Sequence, residues 1–369
     1  MAGSDGKIPT SILTGFLGSG KTTVLNRLVR HPRMAKALVI INEFGEIGLD
    51  HELVESATDD MVLLQSGCLC CTVRSDLIET LQAMRLKAER GEIARFDRVV
   101  IETTGLADPA PILQAFIAEP QVTGHFALDG IIATVDALAG EATLDRHMEA
   151  VKQAAVADRI LLTKTDMADS ATRAGIERRL RALNPAAPIL PLTMASEIDP
   201  ALLFDVGLFD PASKSIDVRR WLDDENYASG GHHDGHDHAG PNHAGQGHDA
   251  HEGDHGHAAG RNDVNRHDDH IHAACLVFEK PIPGEVLDRW LQSLLLLRGP
   301  DLLRFKAIVN VAELPGPVIL HGVQHVIHPP LVLKSWPSDD RRTRMVFITY
   351  DIDEQALRAS FRQFAENTV

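Results

Sequence analysis

No stretch of this chain is apolar for long enough to cross a bilayer. Its longest hydrophobic runs, such as 294–297, fall far short of the roughly 20 residues that a spanning helix needs. Residues 1–7 are short and polar, without the apolar core of a secretory leader. Basic charge is not in excess either. A formal net charge of -16 sets the chain against phosphate backbones and in favour of cations, which argues against a nucleic-acid partner. Cysteine is scarce, with four in 369 residues, so there is no disulfide scaffold. Three of the four crowd together as Cys68, Cys70 and Cys71, a pattern that fits metal or redox chemistry in a reducing compartment. These absences lead to the expectation of a cytoplasmic protein with neither a membrane nor a nucleic acid as partner.

What is present reads as two globular units and a spacer. A length of 369 residues exceeds what one core organises. Over residues 7–215, apolar runs at 8–14, 37–41, 62–64, 98–101, 130–135 and 159–162 read as strands buried on both faces. Helix-like segments at 22–30, 76–89, 109–117, 144–155 and 171–181 alternate with them, which predicts an α/β, doubly wound, mostly parallel domain. Residues 223–270 are Gly, His, Asp and Asn with almost no large apolar side chain, the composition of a disordered linker. From 271 to 369, strands at 272–278, 303–311, 317–327 and 345–350 and helices at 283–297 and 354–366 predict a smaller α+β domain.

The strongest motif is Gly15-Phe16-Leu17-Gly18-Ser19-Gly20-Lys21-Thr22, a complete G-x-x-x-x-G-K-S/T element between a strand and a helix. Gly15, Gly18 and Gly20 let backbone N–H groups, with those of Ser19 and Thr23, wrap phosphate oxygens at a helix N-terminus. Lys21 reaches the β- and γ-phosphates, and Thr22 places its hydroxyl on Mg²⁺. Downstream, the strand at 98–101 ends in Glu102, suited to the metal's water shell. Gly105 follows three residues later, suited to the γ-phosphate. Thr163-Lys164-Thr165-Asp166 fits the guanine-reading N/T-K-x-D pattern. Asp166 would accept from guanine N1–H and the exocyclic amine, Lys164 would pack over the base, and Thr163 stands where Asn is commoner.

Gly67-Cys68-Leu69-Cys70-Cys71 places three thiols within four residues. Metal binding, a redox switch and chance clustering each account for it, and a soft or borderline cation suits it best. Glu43 and Glu46, in Asn42-Glu43-Phe44-Gly45-Glu46, are candidate oxygen ligands in a loop where a nucleotide hydrolase carries a switch. Twelve of the nineteen histidines lie between His232 and His272, a tract suited to loose binding of Zn²⁺, Ni²⁺ or Co²⁺. Cys275 reads as core.

Taken in order, Thr14 to Thr23, Asn42 to Glu46, Gly67 to Cys71, Glu102 to Gly105 and Thr163 to Asp166 resemble the CobW family of P-loop GTPases, of the SIMIBI class. Arg304-Phe305-Lys306-Ala307 and the stretch from Trp336 to Val346 are similar to that family's C-terminal unit. The resemblance implies a GTPase, turning GTP and water into GDP and phosphate, that uses Mg²⁺ and binds zinc or cobalt at the C-x-C-C element. It also implies transfer of the metal to a client metalloprotein. A His-rich metal buffer with a structural nucleotide site, and a nickel- or cobalt-insertion GTPase, remain as alternatives. Client, native metal and homo-oligomerisation stay open.

Overall fold

Among the described residues, seven strands carry the larger domain: β1 (Ile8–Gly15), β2 (Ala37–Glu43), β3 (Met61–Gln65), β4 (Arg98–Glu102), β5 (Phe126–Asp136), β6 (Arg159–Thr163) and β7 (Ile189–Pro191). The computed structural model describes residues 6–43, 61–65, 71–204, 270–336 and 339–366, with backbone alone for 42–43, 61–65 and 71–74. The expected linker at 223–270 lies outside the described residues except for His270. All neighbouring strands pair in parallel in the order β3-β2-β4-β1-β5-β6-β7, so their C-terminal ends open on one edge.

The missing polar alternation in these strands has a direct cause. Successive side chains go to opposite faces, and both faces are covered. Ile12, Leu38, Ile40, Val99 and Ile101 pack on one side with Leu77, Leu81 and Leu113, from α2 (Cys71–Arg90) and α3 (Ala110–Ala118). Leu13, Val39, Ile41 and Val100 pack on the other side with Leu25 and Leu28 of α1 (Lys21–Val29). Each such burial contributes about 1.5–3 kcal/mol, so a polar substitution on either face would be costly.

Among the described residues, the remaining helices of this domain are α4 (Pro120–Thr123), α5 (Gly140–Arg146), α6 (Met148–Val156) and α7 (Ser170–Leu183). The single helix expected at 144–155 is thus a pair, broken where His147 takes an extended conformation (φ -133°, ψ 107°) and stacks on Phe16 at 4.3 Å. α2 begins five residues ahead of the expected start. β7, three residues ending in proline, was not expected.

The C-terminal domain is an antiparallel sheet of β8 (Ile271–Phe278), β9 (Leu302–Val309), β10 (Val318–Val323), β11 (Val326–Ile327) and β13 (Thr343–Tyr350), in the order β11-β10-β9-β13-β8. β12 (Leu331–Val332) pairs with β10. The strand expected at 317–327 is a hairpin, because Gln324 turns the chain at φ 53°. On one face lie α8 (Gly284–Arg298) and α9 (Glu354–Glu366). Trp290 is buried there edge-on to Phe347 and Phe361 and donates its indole N–H to Ser360 Oγ at 2.7 Å.

The rest of this sheet sits on the larger domain. Leu303 and Ile348 join the core around α6 and α7, and Val323 joins the core around α3. A buried charge cluster crosses the same boundary. Arg304 donates to Val156 O and to Asp158 Oδ1, and Lys306 Nζ lies 3.3 Å from that carboxylate. Asp158 Oδ2 also accepts from Ile131 N–H at 3.0 Å. Burial brings Arg304 down to about 9 and, with Arg304 and Arg159 nearby, holds Lys306 well below its usual range. His321 and His328 stand beside it with ring centroids 4.1 Å apart. Burial lowers His328 to about 3; burial, His328, Lys306 and Arg304 hold His321 well below the ordinary imidazole value.

Candidate functional site

The glycines of the first loop are required by its backbone. Gly15 has φ 141°, and a Cβ there would stand 2.2 Å from Thr134 Oγ1 and 2.5 Å from Thr134 O. Gly18 and Gly20 are left-handed, at φ 73° and 93°, and Gly20 hands the chain to α1 without a side-chain cap. An uncapped helix start behind a glycine cradle is an anion site, because the first-turn N–H groups and the helix dipole point the same way. Lys21 is buried against this loop and donates to Phe16 O at 3.2 Å. Ser19 Oγ and Thr134 Oγ1 share a hydrogen bond of 2.6 Å, while Thr23 is exposed.

Thr22 donates its hydroxyl to Glu102 Oε1 at 3.0 Å, across 80 residues of sequence, because β4 lies directly beside β1. Glu102 is buried at the strand's C-terminal end. The next residue is locked to β1: Thr103 N–H donates to Leu13 O at 2.9 Å, and its hydroxyl to Thr14 Oγ1 at 2.9 Å. Gly105 then passes so close to the first loop that a Cβ would stand 2.7 Å from Leu17 N. Two oxygen donors suited to a hard divalent cation and a backbone N–H therefore share one mouth with Lys21.

The third segment is tied to the first. Thr163 Oγ1 lies 2.7 Å from Ser19 O and 3.1 Å from Val135 O, so this hydroxyl braces the phosphate loop. Lys164, at φ 55°, donates to Gly18 O at 2.8 Å and to Asp136 Oδ2 at 2.6 Å. Thr165 is buried and donates to Leu192 O at 3.1 Å, while Asp166 is exposed on the same edge. The sequence reading missed Asp136, although a carboxylate closing an apolar strand is the pattern that marked Glu102. It also missed Thr134, Gln153 and the turn after β7, where Thr193 N–H donates to Ser196 Oγ at 3.0 Å and Arg27 donates to Thr193 O at 3.0 Å.

Of the proposed metal ligands, Cys68, Cys70 and Glu46 lie outside the described residues. Glu43 closes β2 and Cys71 opens α2, both as backbone alone. Glu43 is in register with Gln65, the end of β3, so β2 and β3 end side by side on the edge that carries the glycine loop. Cys275 sits on β8, half-buried. Among the described residues, no helix is long and apolar enough to cross a membrane.

Comparison with known proteins agrees with this layout. Residues 9–191 match the family model described as the CobW/HypB/UreG nucleotide-binding domain, and residues 271–365 match the cobalamin synthesis protein cobW C-terminal domain. The chain is 31% identical over 354 residues to the zinc chaperone YjiA of Escherichia coli (strain K12), covering 96% of this chain and 98% of that one. It is 28% identical over 391 residues to the zinc chaperone CobW of Sinorhizobium sp, covering 97% of each. The crystal structure of Zn(II)-bound YjiA GTPase from E. coli is similar with a TM-score of 0.66 and 26% identity, covering 97% of this chain and 99% of that chain.

Proposed function

That the chain belongs to the CobW/HypB/UreG nucleotide-binding family is the premise from which we propose its function: a slow GTPase that binds Zn²⁺, or Co²⁺, and passes it to a client metalloprotein. The observation that carries the nucleotide half is the Thr22–Glu102 contact of 3.0 Å beside the glycine cradle. Those two oxygens fit Mg²⁺, which supplies charge neutralisation at the phosphates when bound. Lys21 holds the β- and γ-phosphates, Gly105 offers its N–H to the γ-phosphate, and Asp166 reads the guanine donor pair while Lys164 covers the base.

The metal half rests on sequence and relatives. Thiolates of Cys68, Cys70 and Cys71, with oxygen from Glu43 and Glu46, make the cargo site, and the His-rich tract gathers ions for it. The register of Glu43 with Gln65 supports coupling, because one sheet edge then serves both nucleotide and metal. GTP binding orders the segment that carries Glu43 and Glu46, and hydrolysis releases it together with the ion.

Metal affinity of the full chain, measured empty, with GDP and with a GTP analogue, tests this. A Co²⁺-loaded sample should show sulfur-to-metal charge transfer that Cys70→Ala with Cys71→Ala removes. A coupling of about 1–3 kcal/mol would appear as a five- to 150-fold shift in affinity, mirrored in GTP affinity. Equal metal affinity in all three states would favour a metal buffer with a structural nucleotide site.

A further inference from the structure

The loop from Thr103 to Asp108 is held at its far side by groups that the nucleotide chemistry does not use. Gln153, on α6 and only 1% exposed, donates its Nε2 to both Gly105 O (3.2 Å) and Ala107 O (3.0 Å). Its Oε1 is buried without a hydrogen-bond partner among the described residues. A fully buried amide whose acceptor stays unpaired carries a desolvation cost, and here its two donated bonds to the loop are what stands against that cost. Asp108 ends the loop. Its Oδ1 accepts from Ala110 N–H, at the first residue of α3, at 2.9 Å, and its Oδ2 accepts from Lys152 Nζ at 3.1 Å.

The same loop and the same helix are gripped by the C-terminal domain. Gln324, at the β10–β11 turn, reaches Asp108 Oδ2 at 3.4 Å, and its neighbour His325 lies 3.3 Å from Gln114 of α3. Arg304 of β9 donates to Val156 O, the last carbonyl of α6, three residues beyond Gln153. A displacement of α6 or of the β10–β11 turn therefore reaches Gly105 through one or two hydrogen bonds.

We propose that Gln153 and Gln324 are positioning residues for the Gly105 loop, so that the C-terminal domain sets how well the site tells GTP from GDP. This rests on the reading of Gly105 as the γ-phosphate contact. GDP lacks the γ-phosphate and is blind to the loop, while GTP must find Gly105 already in place or meet the cost of ordering it.

The test uses the full-length protein with Mg²⁺ and compares the affinity ratio of a non-hydrolysable GTP analogue to GDP, with the thermal midpoint as control. Gln153→Leu should reduce the analogue's affinity about tenfold, and Gln324→Gly, which keeps the left-handed turn, about threefold, each with GDP affinity unchanged. If hydrolysis is followed as well, kcat should fall while GDP release stays constant. A wild-type protein that binds neither nucleotide, or that does not respond to Lys21→Ala, would overturn the nucleotide reading itself. A wild type that binds both, with variants that keep its ratio, would overturn this proposal alone. If Gln153→Leu lowers the midpoint or weakens both nucleotides equally, its role is structural, and Gln324→Gly, at a half-buried position and measured in the same way, then decides.

Discussion

Two polar residues on one short segment stand in different surroundings, and the division of recognition proposed for them is measurable. Thr163 spends its hydroxyl on Ser19 O, within the phosphate loop, whereas Asp166 is exposed at the edge. Thr163→Val should therefore weaken GTP and GDP alike, by about 1–3 kcal/mol, and leave the preference for guanine over adenine intact. Asp166→Asn should do the opposite, lowering GTP affinity by at least tenfold while xanthine nucleotides gain. Parallel titrations with guanine, adenine and xanthine diphosphates separate the two. A change of base preference in Thr163→Val would reassign that hydroxyl to the base. The threonine's place in the motif was legible in the sequence, but its task was not, because the partner is a backbone carbonyl 144 residues away.

Elements with a local signal were legible, and those set by neighbours were not. β1, β4 and β6 announce themselves as apolar runs between a polar start and a glycine, an acid or a threonine. β7 has three residues and a proline, and it exists because β6 offers a free edge with Ile160 opposite Ile189. The break between α5 and α6 falls at His147, which stacks on Phe16, a contact no periodicity encodes. Of the candidate site, the glycine loop could be read because its backbone demands fix Gly15, Gly18 and Gly20, while Asp136 and Gln153 make contacts far apart in sequence.

The hairpin of β10 and β11 carries a further expectation. His321 on β10 lies near Lys306 and Arg304, with His328 just beyond β11 and Asp158 as the carboxylate that those two cations reach, and burial keeps both imidazoles neutral. In the unfolded chain they bind protons below about pH 6.5; in the folded one His328 does so only near 3. Stability contributed here is complete above pH 6.5 and falls on acidification, by up to about 1.4 kcal/mol per pH unit for each histidine. Urea midpoints between pH 7.5 and 4.5 should fall less steeply in His321→Leu with His328→Leu than in the wild type; identical slopes would refute the assignment.

At the scale of the molecule, two compositional units behave as one body. Val323, Leu303 and Ile348 complete cores that belong to the larger domain, and the Arg304–Asp158 pair is buried between them. A scanning calorimeter should record a single transition, with calorimetric and van't Hoff enthalpies equal. Two separated endotherms would show that the shared cores do not couple the halves. The same boundary governs how the protein is made. Arg304 leaves the ribosome 146 residues after Asp158. At about 5–20 residues per second, that is a wait of about 7–30 s. Throughout it, the nascent larger domain holds a carboxylate and an apolar face whose partners have not yet been translated. Whatever shields that face during the interval acts before the two domains have met, on side chains that end up buried at their boundary.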